Sequence, residues 1–150
     1  MEQPDLHIRM TRLINLAVQE SGYSIARVAR DAGLKWDTVR RTVDGKRAAT
    51  IPEIVSILNA TGFPADETLR LMFVVDCDFA IYRSGSDAAG FLIEFSRKLP
   101  GEIVAQLGEN VDELRPRWAQ GTAQLLARTL SQHISELTRR GNTIGDLRSH

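Results

Sequence analysis

The sequence predicts an all-α protein with a compact helical head, residues 1–63, followed by a longer helical region, residues 64–150. Apolar residues recur along most of the chain at the three- and four-residue spacing of amphipathic helices. Cap and stop signals separate these stretches, with Ser, Thr or Asp before them and Gly after them. The 150 residues provide for one domain or for a small head and tail.

Composition favours an ordinary globular protein, with 43% apolar and 25% charged residues. No apolar run approaches the ~18 residues of a membrane span, and the N-terminus lacks an apolar signal core. We therefore expect a cytoplasmic protein without a membrane partner. Cys77 is the single cysteine, which excludes an internal disulfide and a Cys-based zinc site. No His, Asp or Glu spacing indicates another metal site or a cofactor.

Charge is unevenly distributed although the net charge is zero. Residues 1–63 carry nine Lys or Arg against seven Asp or Glu, and residues 64–112 carry four against nine. Residues 113–150 carry six against three. Five basic residues fall between Lys35 and Arg47, so the basic charge is local to one part of the head. This asymmetry predicts one face for nucleic acid and another for a different partner.

The head begins with an amphipathic helix that ends at Gly22, and its apolar stripe is Leu6, Met10, Leu13, Ile14 and Ala17. Ser24 is placed as the N-cap of a second helix, and Gly33 permits a tight turn after it. A third helix is predicted from Trp36, although Lys35 is a poor N-cap. A fourth helix begins with the capping box Thr50–Glu53 and carries Pro in its first turn.

The third helix turns two apolar positions inward and several polar ones outward. Val39 and Val43 lie four residues apart and form its inner face. The outward positions are Asp37, Thr38, Arg40 and Arg41. Two short helices joined by a tight turn, with a basic outer surface, are typical of a helix-turn-helix, which places its second helix in the major groove of DNA.

The segment from about Leu6 to Phe63 resembles the lambda-repressor-like helix-turn-helix domain of the xenobiotic-response-element family. The residues that carry the resemblance are Val28-Ala29, Gly33-Leu34, Val39, Val43 and Gly45, followed by the capped helix from Thr50. The resemblance implies a sequence-specific DNA-binding transcriptional regulator, more often a repressor. Members often place Gln just after the cap of the second helix, where its amide touches phosphate; this sequence has Ile25 there.

Candidate DNA contacts divide into base readers and backbone contacts. Arg40 and Arg41 offer bidentate donors to guanine, and Asp37 either accepts from cytosine N4 or favours the helix start. Trp36 and Thr38 are predicted to lie on the same DNA-facing surface as these three residues. Three further residues, Ser24, Lys46 and Arg47, are predicted to contact phosphate and to position the head on double-stranded DNA.

Residues 64–150 are predicted to pair subunits into a homodimer or tetramer, through a long helix from about Pro116 to Arg140. The predicted oligomerisation residues are Leu125, Leu126, Leu130, His133, Ile134 and Leu137. Asp66 and Glu67 suit the start of an earlier helix, Leu99-Pro100 is predicted to end another, and the tail from Asn142 is expected to be loose. Residues 73–81 fit a helix, which we favour, or an edge strand.

Alternative functions follow from other features. The zero net charge and Ile25 also suit a protein-interaction module, such as an antitoxin or anti-repressor built on a helix-turn-helix scaffold. A small-molecule sensor would use the aromatic residues Phe91, Phe95 and Trp118. An enzyme is not expected, because no constellation of nucleophile, acid and base occurs in the sequence.

Overall fold

The computed structural model describes residues 5–147, with side chains for residues 5–141, and this part of the chain is helical without any strand. The all-α prediction is therefore confirmed. The helices are α1 (Leu6–Ser21), α2 (Ile25–Ala32), α3 (Trp36–Val43), α4 (Ile51–Ala60), α5 (Ala65–Val74), α6 (Cys77–Tyr82), α7 (Asp87–Leu107) and α8 (Ala119–Leu147). Two 3₁₀ segments, Gly108–Glu113 and Pro116–Trp118, precede α8.

The chain forms two units, of which the first ends at Glu102 and the second begins at Ile103. The first unit extends well beyond the predicted head because α5 packs against α4 and α6 packs against α1. Its core contains fully buried side chains from several helices, including Leu13, Ile14, Val28, Val39, Ile57, Leu58, Leu71 and Met72. Of the predicted α1 stripe, only Leu6 remains exposed, at the start of the helix.

Residues 73–81 are helical, as we favoured, but they do not form one continuous helix. α5 ends at Val74, and Val75 adopts φ −121° and ψ −93°, which is not a helical conformation. Asp76 then caps α6, because its Oδ1 accepts a hydrogen bond of 2.8 Å from the backbone N–H of Phe79. This segment thus belongs to two short helices that pack against each other, α5 also against α4 and α6 also against α1.

Pro100 does not end a helix, and this prediction was wrong. α7 runs through Pro100 to Leu107. A proline within a helix removes one hydrogen bond and leaves the carbonyl four residues earlier without its donor. That carbonyl belongs to Ser96, which is half-buried, so solvent can still reach the backbone group that Pro100 leaves unpaired.

The second unit contains the end of α7, the two 3₁₀ segments and α8. Pro116 opens a 3₁₀ turn, and the α-helix itself begins at Ala119. The predicted loose tail was wrong up to Leu147, because the backbone stays helical to that residue; positions 148–150 lie outside the described residues. Between 119 and 141 every side chain is exposed except Leu126 and Leu130, which are half-buried. Across the described residues no helix is both long and apolar enough to cross a membrane.

The exposed proline within α7 predicts a stabilising substitution. Replacing Pro100 with Ala restores a backbone donor and should raise the free energy of unfolding by up to ~3 kcal/mol, the cost of Pro in a helix interior. Gly101→Ala is the matched variant, since a Cβ there meets nothing within 4 Å, and it should gain about 1 kcal/mol. Thermal unfolding followed by circular dichroism measures both. A lower melting temperature for Pro100→Ala alone would show that the proline is needed where it stands.

Candidate nucleic-acid interface

α2 and the turn that follows it are fixed by local hydrogen bonds. Ser24 Oγ accepts from the backbone N–H of Arg27 at 3.2 Å and caps α2, as predicted. Gly33 has φ 68° and ψ 30°, a left-handed conformation that glycine adopts without steric cost. The backbone N–H of Leu34 donates to Ala29 O at 2.9 Å, and the Leu34 side chain packs against the core. The direction of α3 is therefore set within a few residues of the end of α2.

The inner face of α3 is held by burial and by two hydrogen bonds. Val39 is fully buried and Val43 packs against the core. Thr42 is also buried, and its Oγ1 donates to Thr38 O at 2.8 Å. Asn15 Nδ2 on α1 donates to Val43 O at 3.3 Å, which attaches the end of α3 to the first helix. Lys35 provides no side-chain cap, so burial rather than capping holds α3 in place.

The outer face of α3 presents two arginines in different states. Arg40 Nε lies 3.1 Å from Asp44 Oδ2, and this ion pair is partly exposed. Arg41, by contrast, makes no hydrogen bond or ion pair with any residue of the described chain, and neither does Lys46 on the loop after α3. Trp36 is 54% exposed and Asp37 is exposed on the same outer surface. The predicted base-reading residues are thus accessible, but Arg40 is already paired.

Arg47 is a structural residue as well as a predicted phosphate contact. Its guanidinium forms two bonds to Glu53, with Nη1–Oε2 at 2.8 Å and Nη2–Oε1 at 3.3 Å. Nη1 also donates to Thr42 Oγ1 at 3.3 Å. Glu53 Oε2 accepts from the backbone N–H of Thr50 and completes the capping box of α4. Arg47 therefore joins the last turn of α3 to the first turn of α4; we refer to Thr42, Arg47, Thr50 and Glu53 as the α3–α4 junction.

Electrostatics at this junction favour the charged pair. The hydrogen bond from Arg47 lowers the pKa of Glu53, and the hydrogen bond from the Thr50 backbone lowers it further. The same contact raises the pKa of Arg47. Both groups are therefore ionised across the neutral range, and the junction depends on that ionisation.

Sequence reasoning missed three residues of this region. Asp44 was not assigned a role, although its spacing of four from Arg40 is that of a helical ion pair. Glu53 was identified only as part of a capping box, because its contact with Arg47 depends on how the loop folds. Asn15 had no local signal at all, since its partner lies 28 residues away.

The structure does not place the cysteine or the aromatic residues singled out in the sequence in a reactive or metal-binding arrangement. Cys77 is buried, and its thiol donates to Arg9 O at 3.3 Å. Burial raises the pKa of that thiol, so the reactive thiolate is disfavoured. Phe91 and Phe95 stack on α7 with ring centroids 5.6 Å apart. Within the described residues, no three His, Cys, Asp or Glu side chains converge as metal ligands would.

The predicted oligomerisation residues all lie on α8, but not on one face. Leu125, Ile134 and Leu137 are exposed, at 64%, 59% and 51% of their surface. Leu125 and Ile134 are nine residues apart, which is two and a half turns at ~3.6 residues per turn. They therefore lie on opposite sides of the helix. His133 is exposed too, without a hydrogen bond to another described residue.

Comparisons with protein-family models, with curated proteins and with solved structures give no match for this chain.

The α3–α4 junction predicts a pH dependence of stability. Because the pKa of Glu53 is lower in the folded than in the unfolded chain, its contribution is present above the unfolded pKa of about 4.3 and is lost as the pH falls below that value. Glu53→Gln keeps an amide oxygen for the capping box but removes the charge that pairs with Arg47, so it should cost at most about 1 kcal/mol at pH 6.5, the usual range of a partly exposed ion pair. Urea unfolding at pH 6.5 and pH 3.5 measures the difference.

The penalty of the substitution should be smaller at pH 3.5 than at pH 6.5, because acid protonates part of the wild-type carboxylate. Glu20→Gln is the control, because Glu20 is exposed and has no partner among the described residues. A Glu53→Gln penalty that is equal at both pH values would contradict the assigned ion pair.

Proposed function

We propose that this protein is a sequence-specific regulator of transcription that binds double-stranded DNA as a homodimer, more often to repress. The observation that carries the proposal is the arrangement of α2, the Gly33 turn and α3, which leaves the outer face of α3 accessible while Val39 and Thr42 are buried. In this interpretation α2 and α3 form a helix-turn-helix, and α3 enters the major groove.

The residues would divide the work according to their present contacts. Arg41 is the main base reader, because its donors are unoccupied and no bond must be broken before it binds guanine. Arg40 can contact a base only after its ion pair with Asp44 is broken. Trp36, Asp37 and Thr38 contact neighbouring base edges or sugars, while Ser24 and Lys46 hold phosphate. Arg47 acts chiefly by positioning, since Nη1 and Nη2 of its guanidinium already donate to Glu53.

Pairing of two chains is part of the proposal because one head presents only a short recognition surface. α3 is eight residues long, and a single module of this kind reads a few base pairs. Two heads related by a two-fold axis double the readout and match a palindromic operator with half-sites about 34–36 Å apart. The exposed apolar side chains of α8 supply a surface for that pairing.

A protein-interaction module, such as an antitoxin or anti-repressor, is the second candidate. The observation that favours it is the charge of the outer face of α3, where Asp37 and Asp44 balance Arg40 and Arg41. A salt titration on random duplex DNA separates the two functions. If the protein reads DNA, its affinity for the duplex falls steeply as the salt concentration rises. An interaction module barely binds the duplex at any salt concentration.

Arg41→Ala tests the proposed reader. After selection of a preferred duplex from a random pool, the variant should bind that duplex about 10- to 100-fold more weakly, which corresponds to the loss of one bidentate base contact of about 1–3 kcal/mol. Fluorescence anisotropy measures the affinity. Arg70→Ala is the matched control, because Arg70 pairs with Asp66 on α5, away from α3. Unchanged affinity in Arg41→Ala would remove α3 from the DNA interface.

Asp44→Asn tests the role of the ion pair. The substitution releases Arg40 and removes a negative charge from the face that meets phosphate, so affinity for random duplex should rise several-fold. Discrimination between the preferred and the random duplex should fall at the same time. Reduced affinity for both would mean that Asp44 contacts DNA or holds α3 in place.

A further inference from the structure

α8 carries a continuous apolar line that nothing in the described chain covers. Its members follow each other at alternating intervals of four and three residues, and they are Ala123, Ala127, Leu130, Ile134, Leu137 and Gly141. Leu130 is half-buried and the other five are exposed. We call these six positions the α8 seam.

The seam has the repeat of a coiled coil. Its alternating intervals of four and three residues keep all six positions on one side of the helix, as the a and d positions of a heptad do. In this register Ala127, Ile134 and Gly141 are a positions, and Ala123, Leu130 and Leu137 are d positions. Leu126 and His133 border the seam, whereas Leu125 lies on the opposite side of the helix.

A seam of this composition fits a second identical seam. None of the six side chains is charged or polar, so two copies bring no like charges together. The charged residues of the same stretch lie off the seam, and Glu136 and Arg140 pair within the helix at 2.8 Å. Ala and Gly at three of the six positions remove bulk, which lets two backbones approach closely.

We propose that the α8 seam pairs two copies of this chain as a parallel two-stranded coiled coil. The inference rests on the homodimer part of the proposed function and specifies its surface, orientation and number of strands. Ile at an a position with Leu at the adjoining d positions favours two parallel strands over three or four. α8 is 29 residues long, or roughly 43 Å at 1.5 Å per residue, so the seam lies well within one continuous helix.

Parallel pairing places each seam residue beside its own copy, whereas antiparallel pairing of the full seam places a positions beside d positions, so that Ala127 lies beside Leu137 of the second chain. Variants with one added cysteine distinguish these arrangements. Ala127→Cys, Leu137→Cys and a mixture of the two are oxidised with oxidised glutathione and run on a non-reducing denaturing gel, without DNA. Cys77 gives little background because it is buried, and the wild type measures that background.

The parallel coiled coil predicts a covalent dimer for Ala127→Cys alone and for Leu137→Cys alone. Leu125→Cys is the matched control, because it is the more exposed position but faces away from the seam, and it should remain monomeric on the gel. Cross-linking only in the mixture would establish antiparallel pairing and overturn the proposal. Equal cross-linking of Leu125→Cys would overturn it too, since the contacts would then not be confined to the seam.

A second measurement needs no cysteine. Leu137→Asp should shift the sedimentation coefficient from that of a dimer to that of a monomer, while Leu125→Asp should leave the dimer intact. A wild type that sediments as a tetramer would overturn the two-stranded arrangement. DNA binding is measured separately on the wild type: binding without seam cross-links refutes the seam alone, and seam cross-links without DNA binding refute the proposed function alone.

Discussion

Burial against α1 is the constraint on which the first unit depends. α2, α3 and α4 contain eight, eight and ten residues, fewer than the ~12–15 that an isolated helix needs to be stable in water. Each therefore exists because it buries an apolar side against a shared core, at whose centre Leu13 and Ile14 are almost inaccessible to solvent. The outer side of α3 can contact another partner only because its inner side is already packed against this core.

The three arginines between 40 and 47 illustrate how identical side chains acquire different roles. Arg40 is held by a carboxylate one turn away, Arg47 by a carboxylate on the next helix, and Arg41 by none within the described chain. Arginine presents a rigid fork of donors, so a bidentate partner such as Glu53 engages two of them at once and fixes the plane of the guanidinium. The number of basic residues in a segment is therefore a poor guide to its attraction for phosphate. What matters is how many of them remain available after the protein has satisfied its own acids.

Local signals in the sequence predicted much of this fold, and non-local contacts account for what they missed. The helix caps and the tight turn depend on residues close by in the sequence, so they could be predicted from their neighbours alone. These are Ser24, Gly33 and the Thr50–Glu53 box. Val75 breaks a stripe that looks continuous, because α6 must turn back onto α1. Pro100 was expected to stop α7, but the helix continues through this exposed stretch at the expense of one hydrogen bond. In the candidate interface, the outward residues of α3 were predictable from helical spacing, while the contact of Arg47 with Glu53 required the loop between them to fold.

α8 has a consequence for how this protein responds to its own abundance. A 29-residue helix with almost no buried side chain in the described chain draws little stability from its own unit. Under the proposed pairing of two seams, formation of the helix and pairing of the chains would become one equilibrium, governed by mass action. Dilution alone would then melt α8 at constant temperature while leaving the core of α1 to α6 folded. The concentration of the chain would set the fraction of molecules in which residues 119–147 are ordered.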